Sequence, residues 1–172
     1  MKFSVLSRPK AKAFSFKPDI DDCAIVSITD VANMPNKFYP NPHIKGVCHL
    51  HFDDVEAGEL NCITEKDAKQ IVNFVNRIKD KVNLIVVHCD AGVSRSAGVC
   101  AAIMNMLGRD DVKIFENPRF CPNMTCYRAV LSAAGIEMDE KTIQEKADLN
   151  LEAWKKDMEC VWKDRDTGPE IF

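Results

Sequence analysis

The sequence predicts an α/β fold with a central, mostly parallel sheet flanked by helices. Short β-branched runs alternate with stretches of helical spacing, the pattern of strands covered by crossover helices. One run, Leu84-Ile85-Val86-Val87, is wholly apolar, as a strand buried on both faces requires. A nearly all-apolar stretch of small residues, Ser96 to Leu107, follows it after a turn and predicts a buried helix. The 172 residues fit one domain spanning 1–172. With 46% hydrophobic and 28% charged residues, the chain has the composition of a folded globule. A net charge of −3 argues against a nucleic-acid partner, which calls for a basic surface. No apolar run approaches the ~18 residues of a membrane span. No feature of the sequence sets an oligomeric state.

In chain order, Lys2 to Leu6 forms a candidate short strand, and Ala24 to Thr29 a stronger one. Pro35, Pro40 and Pro42 mark a loop. From Val47 to Phe52 the pattern alternates, with Cys48, Leu50 and Phe52 on one face and His49 and His51 on the other. That strand ends at Asp53-Asp54. Thr64-Glu65-Lys66-Asp67 resembles a capping box with Asp in place of Glu, and Ala68, Ile71, Val72, Val75 and Ile78 follow at helical spacing. Lys79-Asp80-Lys81 ends that helix. Gly108 stops the buried helix after Leu107. Asn123 is the N-cap of another helix, which Gly135 closes. A charged amphipathic helix spans about 141–163, with Leu151, Trp154, Met158 and Val161 expected on its inner side.

Chemistry concentrates in Val87-His88-Cys89-Asp90-Ala91-Gly92-Val93-Ser94-Arg95-Ser96-Ala97. A cysteine sits between a buried strand and a buried helix, where ligands bind beyond the carboxyl ends of parallel strands. The backbone N–H groups of Asp90, Ala91, Gly92, Val93, Ser94 and Arg95 can curl into a cup onto which the helix N-terminus opens, which makes an anion site. Gly92 permits a close approach or a positive φ. Arg95 adds a guanidinium fork that matches two phosphate oxygens. The same positive field favours the thiolate of Cys89. A nucleophile and an oxyanion receptor around one point suit phosphoryl transfer through a phosphocysteine intermediate. Cys-x5-Arg alone arises by chance; His before the Cys, Gly within and Ser after the Arg make the string specific.

The string His88 to Ser96 resembles the signature of the cysteine-dependent protein phosphatases, and within them the dual-specificity branch. Phe52-Asp53-Asp54 resembles the segment that carries the general acid in phosphatases of regenerating liver, and Asp54 lies 35 residues before Cys89, a similar spacing. Asn117-Pro118 and Pro122-Asn123 resemble the segment that buttresses the loop in dual-specificity enzymes. The resemblance covers about 46–135 and implies a protein tyrosine phosphatase-like, dual-specificity fold. It implies that Cys89 attacks phosphorus, that Arg95 and the amides of Asp90 to Arg95 bind the phosphoryl oxygens, and that Ser96 hydrogen-bonds the sulfur. Asp54 is implied as general acid and then base, with Asp53 the alternative; alternation stops at Phe52 and does not choose between them. His88 and Asn123 are implied as supports behind the loop. The resemblance requires no metal and no cofactor. The implied partner is a phosphorylated protein, with phosphotyrosine first and phosphoserine or phosphothreonine also accepted, because none of Asp90, Ala91, Val93 and Ser94 is basic. Two other readings compete. A phosphate-binding pseudophosphatase is expected to lack the Cys, Arg or acid, all of which are present. A rhodanese-like sulfurtransferase needs neither the Phe-Asp-Asp nor the Pro-Asn segment.

The sequence has eight cysteines, several inside apolar runs, which suits buried free thiols in a reducing compartment. Met1 to Ser15 has no apolar stretch of signal-peptide length, so the expected location is cytoplasmic. His49 and His51 share a strand face on which zinc could bind, with Cys48 opposite. Cys121 and Cys126 are expected to be buried. Cys48 is the expected partner for a reversible disulfide with Cys89.

Overall fold

The computed structural model describes residues 1–166, and side chains as far as Glu159, so Val161 and Trp162 lie outside the described side chains. Lys2–Ser7 (β1), Cys23–Thr29 (β2), Ile44–His51 (β3) and Leu84–Cys89 (β4) form one sheet of order β1-β4-β2-β3, parallel throughout. Every residue of β2 is buried, and in β4 all but Leu84 are, which is why both read as near-continuous β-branched runs. β3 is an edge strand with Lys45, His49 and His51 turned outward, so it alternates.

Among the described residues six α-helices accompany the sheet: Arg8–Ser15 (α1), Glu65–Ile78 (α2), Arg95–Met106 (α3), Val112–Phe115 (α4), Met124–Ala133 (α5) and Glu140–Asp166 (α6). The capping box of α2 is complete: Thr64 Oγ1 accepts from the Asp67 amide (3.2 Å), and Asp67 Oδ2 accepts from the Thr64 amide (3.0 Å). Behind it Ala68, Ile71, Val72, Phe74, Val75 and Ile78 are buried. Helix α3 packs on β1 and β4, and α5 packs on both α2 and α3. From Arg95 to Met104 every residue of α3 is buried, so this helix has no solvent face for most of its length and shows no amphipathic stripe. Gly108 and Gly135 follow α3 and α5 with φ of 64° and 73°, conformations that stop a helix.

The structure adds α1 and α4, which have no clear sequence signal. Helix α1 is short, basic and opens with Pro9 in its first turn, and only Ala11 and Ser15 are buried. The inner side of α6 differs from expectation. Leu151 and Trp154 are 49% and 51% exposed. The helix is held instead by buried Ile143, by Lys146 Nζ on Asp111 Oδ1 (2.8 Å), and by Asn150 Nδ2 donating to the carbonyls of Phe115 (2.9 Å) and Phe120 (3.1 Å). Polar residues with buried partners carry the docking, and hydrophobic periodicity does not register them. Cys121 is exposed rather than buried, while Cys126 is buried.

Since all strands are parallel, their carboxyl ends share one edge. Arg8 follows β1, Asp30 follows β2, Asp53 and Asp54 follow β3, and the 90–94 turn follows β4. No helix among the described residues is long and apolar enough to cross a membrane.

Candidate active site

Cys89 ends β4, and its sulfur is enclosed by its own loop. The Gly92 amide donates to Cys89 Sγ at 3.2 Å, and Ser96 Oγ lies 3.1 Å from the sulfur. Gly92 has φ of 73°, and a Cβ there would stand 2.4 Å from the Ser7 amide nitrogen, so both conformation and space call for glycine. The loop is tied to the start of α1 by the Arg8 amide donating to Asp90 O (3.1 Å). Ser94 is the N-cap residue of α3, yet its hydroxyl does not cap the helix. It donates to Asp54 Oδ1 at 2.8 Å, so the first-turn amides of α3 have no side-chain cap.

Arg95 is 4% exposed, a costly position for a guanidinium unless it is paired. Its Nη1 donates to Phe52 O and is ion-paired with Asp30 Oδ1, both at 2.7 Å, and Nη2 donates to Asp90 Oδ2 at 3.4 Å. Its Nε is buried with no hydrogen-bond partner. Asp90 also accepts from Arg8 Nη1 (3.2 Å) and from the Asp30 amide (3.2 Å). Burial pushes the Asp90 carboxyl up, but these donors and the Arg95 charge outweigh it and hold it below the usual carboxylate range. Asp90 therefore turns toward Arg8 and the loop after β2.

The two adjacent acids separate. Asp53 Oδ1 accepts from the Val31 amide and Oδ2 from Asn61 Nδ2, both at 2.9 Å, and these bonds hold its carboxyl below the usual range. Asp54 points to the loop: its Oδ1 accepts from Ser94 Oγ and from Asn123 Nδ2, both at 2.8 Å. Asn123 meanwhile accepts the Cys126 amide (2.8 Å) as N-cap of α5, and its own amide donates to Ser94 O (3.3 Å). The Cys121 amide donates to Val93 O at 3.1 Å. The 121–123 segment thus backs the turn, and α3 approaches so closely that a Cβ on Gly98 would lie 2.3 Å from Asn123 O.

His88 is fully buried. Its Nε2 lies 2.8 Å from Ser27 Oγ and 3.5 Å from Asn36 Nδ2, and its Nδ1 lies 3.3 Å from Cys89 O. Those partners assign the Nδ1–H tautomer, which donates to the carbonyl of Cys89. Burial pushes its pKa down to about 4, so the ring is neutral near pH 7.

The structure thus gathers Cys89, Asp90, Gly92, Ser94, Arg95, Ser96, Asp54 and Asn123 into one cluster, with Ala91 and Val93 in the same turn and His88 behind it. It also recruits Asp30, Arg8, Ser27 and Asn36, which carry no local motif. Only Asp30, standing just past a buried strand at the binding edge, had a signal in its position. Cys48 does not join the cluster. Its row runs Cys48–Val26–Val87 across the sheet, two strands away and two residues short of Cys89. Sheet spacings put the two Cα atoms about 12 Å apart, against at most ~7 Å for a disulfide. Gln70 Nε2 lies 3.5 Å from its sulfur, and burial pushes the Cys48 thiol up. All seven cysteines among the described residues are free. His49 and His51 are exposed, with His51 Nδ1 3.1 Å from Thr29 Oγ1. Among the described residues no three His, Cys, Asp or Glu side chains cluster as a metal site.

This cup of amides around a cysteine, with a buried arginine and an acid from the end of β3, defines a class. The chain belongs to the dual specificity phosphatases: the model of their catalytic domain matches residues 10–130. Dual specificity protein phosphatase 2 of Mus musculus is 30% identical over 83 residues, 48% of this chain and 24% of that protein. Dual specificity protein phosphatase 1 of Mus musculus is 30% identical over 103 residues, 59% of this chain and 26% of that protein. The chain therefore spans about a quarter of the length of the curated relatives it matches. The crystal structure of human DUSP28 aligns over 90% of this chain and 94% of that one, at 14% identity and a TM-score of 0.45.

Proposed function

We propose that this protein hydrolyses phosphomonoesters on proteins, phosphotyrosine first and phosphoserine or phosphothreonine in addition, through a phosphocysteine intermediate. The observation that carries the reading is Arg95, buried beside Cys89 with an unpartnered Nε. A phosphoryl oxygen is the acceptor that donor lacks, and the uncapped amides of α3 and the turn supply further donors. In the first step Cys89 Sγ attacks phosphorus while the P–O bond to the substrate breaks. Asp54 gives its proton to the departing phenol or alcohol oxygen. In the second, the Asp54 carboxylate takes a proton from water, whose oxygen attacks phosphorus. The S–P bond breaks, and Ser96 donates to the returning thiolate. Asp30 and Phe52 O fix Nη1 of Arg95 and Asp90 holds Nη2, leaving Nε to donate to the phosphoryl group. Asp53, with both oxygens taken by Val31 and Asn61, anchors the loop.

The acidic surroundings favour a monophosphate over a polyphosphorylated substrate. The test is hydrolysis of p-nitrophenyl phosphate without added metal and with a thiol reductant. The wild type is expected to turn it over, vanadate to block it, and Cys89→Ser to abolish it. Undiminished activity in Cys89→Ser, or no activity in the wild type alongside thiosulfate sulfurtransferase activity, would overturn the reading.

A further inference from the structure

Beside the phosphate cup, the segment after Asp54 and the first turns of α5 enclose a groove of about 1260 Å3. Ala57, Leu60, Met124 and Ala129 give its lining apolar surface, and Leu60 is 85% exposed. Its walls start next to the catalytic cluster: Val55, the residue after Asp54, accepts from Asn123 Nδ2 at 3.5 Å. Asn123, which holds Asp54, directly precedes Met124 on its wall, and Thr125 Oγ1 donates to Glu56 Oε2 (3.3 Å) across it. Its lip is anionic. Among the described residues its two acidic side chains, Glu56 and Glu59, form no ion pair, whereas Asp30 and Asp90 are paired with Arg95 and Arg8. Arg128, the cation on this wall, is paired with Glu140.

We propose that this groove seats the polypeptide flanking the phosphoresidue of a substrate protein, with an apolar side chain on Leu60 and Met124 and Lys or Arg facing Glu56 and Glu59. The inference rests on the phosphatase reading and specifies its substrate class. A dianionic phosphate must approach the unpaired carboxylates of Glu56 and Glu59, whose repulsion acts over about one Debye length (~10 Å). Cations on the substrate chain offset that repulsion and speed encounter, an effect that salt weakens.

The experiment measures kcat/KM on three substrates: a phosphotyrosine peptide with Leu and Lys/Arg flanks, its counterpart with Leu and Asp/Glu flanks, and p-nitrophenyl phosphate, which has no flanks. The basic peptide is expected to exceed the acidic one about tenfold at low salt, with the ratio falling toward one as salt rises. Glu56→Gln/Glu59→Gln, which keeps the hydrogen-bond acceptors, should erase most of that ratio. Leu60→Ser should lower the rate on both peptides relative to p-nitrophenyl phosphate about tenfold, as expected for losing one buried leucine contact. Equal rates on the two peptides, or unchanged peptide-to-p-nitrophenyl phosphate ratios in both variants, would overturn the groove while leaving the phosphatase reading intact. Loss of p-nitrophenyl phosphate hydrolysis in the wild type would remove both.

Discussion

Asp53 and Asp54 are sequence neighbours with opposite surroundings. Asp53 spends both oxygens on loop anchors, and its carboxyl is held low. Asp54 shares one oxygen between Ser94 and Asn123 and faces the turn around Cys89. In the proposed reaction, Asp54→Asn should lower kcat on a phosphotyrosine peptide about 100-fold. Asp53→Asn should leave kcat within about tenfold of the wild type. Alternation could not separate them, because it ends at Phe52, and the deciding partners Val31, Asn61 and Asn123 come from three different segments. The Cys89–Arg95 loop was legible because its parts are contiguous. Arg8, Ser27 and Asn36 were not, since only the fold carries them to the turn from 50 or more residues away in sequence.

Among the elements, α3 matters most. Its N-terminus forms one wall of the site, and Gly98 lets it close on the segment that carries Asn123. Gly98→Ala places a methyl against a backbone carbonyl that cannot rotate away. It should cost about 1–3 kcal/mol of stability in denaturant titration, and it should lower kcat by drawing Asn123 off Asp54. The strands and α2, α3 and α5 were legible from pattern and caps. Helix α1 was not, because eight residues with two buried positions leave no stripe. The inner face of α6 departs from its hydrophobic periodicity for a different reason. Lys146 sits on Asp111, to which the buried Tyr127 hydroxyl also donates (2.6 Å), so charged and polar residues occupy the docked face.

For the molecule as a whole, His88 couples the sheet interior to pH. Its folded pKa of about 4 lies below the ordinary 6.5, so the unfolded chain binds more protons between those values. Stability from this group is therefore complete above about pH 6.5 and is lost as pH falls toward 4. Between pH 7 and pH 5 the loss should be about 2 kcal/mol. Urea unfolding at the two pH values should show it in the wild type, and the difference should shrink by that amount in His88→Gln. An unchanged difference in the variant would mean that the ring accepts a proton in place. The same parallel topology that buries His88 also brings four strand ends to one edge, so a motif on β4 acquires an acid from β3 and a guanidinium partner from β2.

The covalent step is the centre of the account, and trapping it is the most direct measurement. The protein is mixed with a radiolabelled phosphotyrosine peptide, quenched within milliseconds, digested and mapped. The account predicts a phosphoryl label on the peptide containing Cys89, chemically a thiophosphate ester, and none in Cys89→Ser. Rapid release of inorganic phosphate with no labelled Cys89 peptide at any quench time would contradict it and indicate direct attack by water.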